Sequence, residues 1–157
     1  RWRTAWELKV FGYINMMREC YRMMKSRGRG VIVNVIGNAG NQAPAEYAAG
    51  VSADAMLEVL TRTLGGDSLD HGIRVVGVSP GDLLNERGIM FLRRQAEEEL
   101  GDPERWSERL AELPGGRAGA SEEVADAIVF LASPRSNYTS GAILTIDGGV
   151  SARRAVM

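Results

Sequence analysis

Apolar side chains at Trp6, Val10, Tyr13, Ile14, Met17, Tyr21 and Met24 recur at steps of three and four, so the spacing predicts a long amphipathic helix from Thr4 to about Arg27. Its methionines read as core or helix-helix interface, because an unbranched thioether fills irregular apolar space. Gly28 and Gly30 stop that helix, and the β-branched run Val31 to Ile36 predicts a strand buried on both faces. A Gly/Asn/Pro-rich loop follows from Gly37 to Pro44. From Ala45 to about Leu64 an Ala/Leu/Met-rich stretch predicts a second long helix, weakened at its end by Gly65 and Gly66. Ile73 to Val78 is another β-branched strand, closed by the turn pair Pro80-Gly81. The charged stretch Glu86 to Leu113, broken at Asp102-Pro103, predicts one or two short surface helices over a cleft. Ser121 is placed to cap a helix whose apolar stripe is Val124, Ile128 and Leu131, with Glu122 and Glu123 opposing the helix dipole. That helix ends at Ser133-Pro134. Ala142 to Ile146 is the last strand, and Asp147-Gly148-Gly149 turns the chain away from it.

Helix and strand alternating three times is the pattern of a parallel α/β sheet with right-handed crossovers. The 157 residues, 45% hydrophobic and 25% charged, have the make-up of one domain able to bury a core. A formal net charge of -1 gives no electrostatic reason to expect nucleic acid or a membrane surface as partner. Cys20 stands alone and so makes no internal disulfide; it reads as a small core residue, and a reducing cytoplasm is the expected location. No apolar run approaches the roughly 18 residues that span a bilayer. The chain opens at Arg1 inside a helical pattern, which leads us to expect that its natural start lies upstream. No His, Cys, Asp and Glu cluster has metal-ligand spacing. His71, in the Asp70-His71-Gly72 turn, is expected to be a solvent-exposed loop residue.

Five segments carry a resemblance: RGRGVIVNV before a glycine loop, LTRTLG late in the second helix, GIRVVGVSPG at the second strand, EEVADAIVFLAS in the last helix and SNYTSGAILTIDGG at the end. In this order and at these separations, from Trp6 to Gly149, the chain resembles the short-chain dehydrogenase/reductases. The resemblance implies the C-terminal half of a doubly wound, Rossmann-type parallel sheet, so that residues 1-157 form a partial domain whose phosphate-binding half lies upstream. It implies NAD or NADP as cofactor, a small alcohol or carbonyl compound as substrate, and a homodimer or homotetramer. The two long helices would form one interface and the last strand and helix another.

In the family a tyrosine hydroxyl transfers the proton that accompanies hydride transfer. A lysine one helical turn on lowers the tyrosine pKa, a serine orients the substrate oxygen, and an asparagine completes a water relay. Tyr47 is followed four places later by Val51, which cannot replace that lysine. The family's serine-to-tyrosine separation, laid from Gly37, reaches Gly50, and the separation counted back from Gly72 reaches Gly50 again. On that register the four positions are Lys9, Gly37, Gly50 and Asp54, all substituted. Glycine has no group with which to move a proton, and an aspartate raises a nearby phenol pKa. Two readings stay open. In one, Tyr47 leans into the space left by Gly37 and Gly50, and Lys9 supplies the cation, giving a relocated oxidoreductase site. In the other, Lys9 neutralises Asp54 and the protein is a catalytically inactive nucleotide-binding or assembly module. The Pro80-Gly81 turn matches the family's nicotinamide side, with Leu83 offering a backbone amide and Asn85 a side chain near the pyrophosphate.

Overall fold

The computed structural model describes residues 2–39 and 47–153. The N-terminal helical rod consists of α1 (Trp2–Trp6), a π-helical segment Glu7–Gly12 and α2 (Tyr13–Arg27). Strand β1 (Gly30–Val35) follows, then α3 (Ala48–Ser68), β2 (Ile73–Pro80), α4 (Glu86–Leu100), a 3-10 segment Pro103–Glu112, α5 (Ser121–Ala132) and β3 (Ile143–Ile146). The sheet is parallel throughout, in the order β1-β2-β3, with Val33 opposite Val76 and Val78 opposite Leu144.

Because side chains alternate across a strand, the sheet feeds two apolar layers. Val76 and Val78 join Val124 and Leu131 of α5 on one side. Ile36 and Leu57 join Met17 on the other, where α2 and α3 lie. Each such side chain, fully buried, contributes about 1.5–3 kcal/mol. Strand β2 is the central strand, buried from Ile73 through Ser79. The predicted β1 is only half-buried, with Val35 43% exposed, because β2 is its one partner strand among the described residues.

Four local expectations change. Helix α3 does not weaken at Gly65 and Gly66 but runs on to Ser68. Gly65 is buried there, and a Cβ on it would come 2.2 Å from the Gly141 nitrogen. The turn before β3 therefore lies directly on the helix, held by Gly141 N–H donating to Val75 O at 2.8 Å. Tertiary packing overrides the poor helix propensity of that pair. Ser121 is not the cap of α5: Ala120 holds that place, and the Glu123 carboxylate accepts its N–H at 2.8 Å. Arg117 grips the same carboxylate at 2.7 Å, and these contacts, Arg117 first, pull the Glu123 pKa down to about 2. His71 ends a 3-10 turn half-buried, its ring edge-on to Tyr21. Finally, the N-terminal rod contains the π segment, which apolar spacing did not reveal. No helix among the described residues is long and apolar enough to cross a membrane.

Candidate functional site

At the C-terminal ends of β1 and β2, the end of a parallel sheet where ligands bind, lies a cleft of about 430 Å³. The π segment brings Lys9 to it, α3 brings Tyr47 and Asp54, the strand ends bring Gly37 and Pro80-Gly81, and the start of α4 brings Arg87 and Phe91. The π segment matters because an i→i+5 turn shifts the register of the side chains that follow it, and such turns recur at functional sites.

Lys9 Nζ stands 2.7 Å from Asp54 Oδ1; Asp54 is 1% exposed and Lys9 33%. The Gly37 N–H donates to the same carboxylate oxygen at 3.4 Å. A Cβ at position 37 would lie 2.9 Å from Asp54 Oδ2, so the bare glycine makes the room that this carboxylate occupies. Burial pushes the Asp54 carboxyl above the usual carboxylate range, and the hydrogen bond and charge of Lys9 draw it partway back.

Tyr47 caps the start of α3, and its ring lies over Gly50: a Cβ there would be 2.0 Å from the ring carbon that bears the hydroxyl. The Lys9 ammonium is 5.7 Å from the centre of that ring, within cation-π range. Lys9, Gly37, Tyr47, Gly50 and Asp54, separated by up to 45 residues (54 minus 9), thus meet at one place. Trp6 fastens the two helices together, its indole N–H donating to Ala49 O at 3.0 Å. Tyr13, read from the sequence only as a core position, donates its hydroxyl to Val35 O; burial raises its pKa, with Lys9 opposing and Asp54 adding to the rise.

On the opposite wall, Asn38 N–H donates to Pro80 O at 3.1 Å and Gly81 N–H to Ile146 O at 3.0 Å, which fixes the turn against both neighbouring strands. Leu83 pairs with Gly119 in a one-residue parallel bridge, and the Leu83 amide has no acceptor among the described residues. Asn85 uses its side-chain oxygen to cap α4, accepting the Gly88 N–H at 2.9 Å, and its amide NH₂ has no acceptor among the described residues. Arg87 and Phe91 were missed from the sequence, where they merge with the charged surface of α4. Their i,i+4 spacing puts them on one helical face but is shared by any helix, so it did not single them out.

A family profile described as enoyl-(acyl carrier protein) reductase matches residues 1–151. Galactitol 2-dehydrogenase (L-tagatose-forming) of Cereibacter sphaeroides is 33% identical over 150 residues, which cover 94% of this chain and 56% of that protein. The chain belongs to the short-chain dehydrogenase/reductase family. Another member, the inactive 2-(S)-hydroxypropyl-CoM dehydrogenase 2 of Xanthobacter autotrophicus, is 32% identical over 96% of this chain and 64% of its own length. Among solved structures, NAD+-bound xylitol dehydrogenase superposes with a TM-score of 0.85 at 25% identity, covering 94% of this chain and 59% of that one. The chain therefore spans less than two thirds of each of these family members.

Proposed function

We propose that the intact protein is an NAD(P)-linked oxidoreductase acting on CH–OH and C=O groups, with its proton-transfer site built on Tyr47 and Lys9. The family's usual positions are then Lys9, Gly37, Gly50 and Asp54. The observation that carries this reading is the Tyr47 ring lying in the space above Gly50, in the same cleft as Lys9 and Leu83. A nicotinamide cofactor held at this cleft would supply the hydride in reduction, or take it up in oxidation. The Tyr47 hydroxyl gives its proton to the carbonyl oxygen in reduction and takes it back in oxidation. The Lys9 ammonium, 5.7 Å from the centre of the ring, is the cation that stands nearest to it in the cleft. The amide of Leu83 beside Pro80-Gly81, unpartnered among the described residues, suits a nicotinamide carboxamide, and the NH₂ of Asn85, whose oxygen caps α4, suits a phosphate oxygen.

A specific contact favours a second reading. Lys9 lies 2.7 Å from Asp54, which offsets the charge it offers Tyr47. The ring carbon that bears the phenol oxygen also sits 2.0 Å from where a position-50 Cβ would stand, whereas a tyrosine growing from that position would carry its hydroxyl a ring length further out. On this reading the protein binds nucleotide or assembles without turnover, and one of its relatives carries "inactive" in its name.

The discriminating experiment follows NADH and NADPH consumption by full-length protein with a carbonyl panel, comparing wild type, Tyr47→Phe and Lys9→Met. The oxidoreductase reading expects Tyr47→Phe to lose about 10²-fold or more, the usual scale of general acid-base catalysis. Equal rates in all three, or nucleotide binding with no turnover, transfer the conclusion to the second reading. In either case we propose a homodimer or homotetramer through the long helices and the last strand, supported by the exposed Leu8, Met16 and Val59 on the outer helix faces.

A further inference from the structure

Among the described residues two cations reach the cleft, Lys9 and Arg87, and they differ in what holds them. Lys9 is committed to Asp54. The remaining arginines between the β2 turn and α5, namely Arg93, Arg94, Arg105, Arg109 and Arg117, are each held by a glutamate at 2.7–3.1 Å. Arg87 forms no ion pair among the described residues; its guanidinium rests on the Phe91 ring, 5.5 Å from the centroid. Phe91 lines the same cleft, one turn along α4. A guanidinium stacked on a ring keeps its planar fork of N–H donors pointing past the ring edge, and that fork matches the two oxygens of a carboxylate. The Asn85 cap fixes the turn of helix that carries Arg87. Asp82 also borders the cleft but makes no contact with Arg87 that qualifies as an ion pair.

We propose that Arg87 recognises an oxyanion, and specifically the carboxylate of the substrate, so that the carbonyl compound is an oxo acid and its reduction product a hydroxy acid. The proposal rests on the oxidoreductase reading for its chemistry, but not for its binding contact. The cleft, about 430 Å³, has the size of a small-molecule site. The pyrophosphate of the dinucleotide offers the same oxyanion chemistry, and the test separates the two sources.

Full-length protein is assayed with NADPH or NADH and a matched pair of substrates, acetoacetate and methyl acetoacetate, as wild type, Arg87→Met and Arg87→Lys. Loss of one charge-assisted contact corresponds to about ten- to a hundredfold. Wild type is expected to favour acetoacetate in kcat/KM by that factor through KM. Arg87→Met should abolish the preference while leaving the ester and nucleotide affinity unchanged, and Arg87→Lys should restore part of it. A preference that survives in Arg87→Met, or no preference in wild type, overturns the proposal. Weaker nucleotide binding in Arg87→Met, with both substrates equally affected, assigns Arg87 to the pyrophosphate and also overturns it. If no carbonyl turns over, the oxidoreductase reading has failed, and calorimetric titration of both compounds into nucleotide-loaded protein decides the contact. Acetoacetate binding lost in Arg87→Met supports the proposal, and equal binding of acid and ester overturns it.

Discussion

Substituting Lys9→Met removes the cation nearest a carboxylate that is 1% exposed and leaves Asp54 with the Gly37 N–H at 3.4 Å. Breaking a fully buried ion pair from one side costs about 3–5 kcal/mol. Lys9 is one-third exposed, so water screens part of the pair, and the expected cost at neutral pH is about 2 kcal/mol. That corresponds to a Tm lower by about 4–8 °C. The pH dependence has a definite sign. Burial holds the Asp54 pKa above its unfolded value, and loss of Lys9 removes the two influences that lower it. A carboxyl with a raised folded pKa binds its proton more tightly when folded. Its stabilising contribution is therefore present below the unfolded pKa and is lost as pH rises through the folded one. The deficit of Lys9→Met should be small near about pH 4 and reach its full size by neutrality. Thermal unfolding followed by circular dichroism, at both ends of that range, measures it. The double variant Lys9→Met/Asp54→Asn should recover most of the loss at neutral pH. Equal deficits at both ends, or a double variant no more stable than the single, would refute the pair as described.

Gly65→Ala and Gly66→Ala should move in opposite directions: the first drives a methyl into the Gly141 backbone and costs about 1–3 kcal/mol. The second, with open space around it, gains about 0.5–1 kcal/mol of helix propensity; a common sign in chemical denaturation would contradict the packing. Arg74→Met deprives Leu131 O and Ser133 O, at the end of α5, of a buried guanidinium at 2.7 and 3.0 Å, and should cost about 2–3 kcal/mol; a loss below about 0.5 kcal/mol would show the carbonyls satisfied otherwise. Gly50→Ala should displace the Tyr47 ring, read as a shift in its aromatic NMR resonances, and Tyr47→Ala in the same background should relieve the strain; unchanged resonances would place the ring elsewhere.

The architecture was legible because it depends on periodicity. Val10 and Met17 of the first stripe, the strand Ile73 to Val78, and Val124 and Leu131 of the last stripe are buried, and the other members of the two stripes are half-buried. What failed was anything decided by contact between distant segments. Gly65 reads as a helix breaker until Gly141, 76 positions later (141 minus 65), needs its missing side chain. Ser121 has the chemistry of a cap, but Glu123, oriented by Arg117, takes that role at Ala120. The half-buried β1 reflects its having one partner strand among the described residues, a property of topology rather than of Val31 to Ile36 themselves. In the site, Lys9, Tyr47 and Asp54 were named from the sequence. The π segment that carries Lys9, and the Arg87–Phe91 wall, have no one-dimensional pattern that separates them from ordinary helix.

Lys9, Gly37, Tyr47, Gly50 and Asp54 behave as one coupled unit, not as independent positions. The Asp54 carboxylate fits only because position 37 lacks a Cβ, and its charge is met by Lys9 from another helix. The Tyr47 ring fits only because position 50 lacks one as well. Introducing a single bulky or cationic side chain at 37, 50 or 54 therefore meets a neighbour packed against the residue now there, and overpacking or an unpaired charge is the result. Interaction terms between such touching residues are large and non-additive, so the energetics of any one of these positions are defined only against the other members of the group. The strand-end turn does not share this coupling: Pro80-Gly81 is held by backbone hydrogen bonds to Asn38 and Ile146, which depend little on which side chains surround them. The strand-end side of the cleft can thus keep its form while the side chains around Lys9, Tyr47 and Asp54 change, and it is on that second side that the two proposed readings divide.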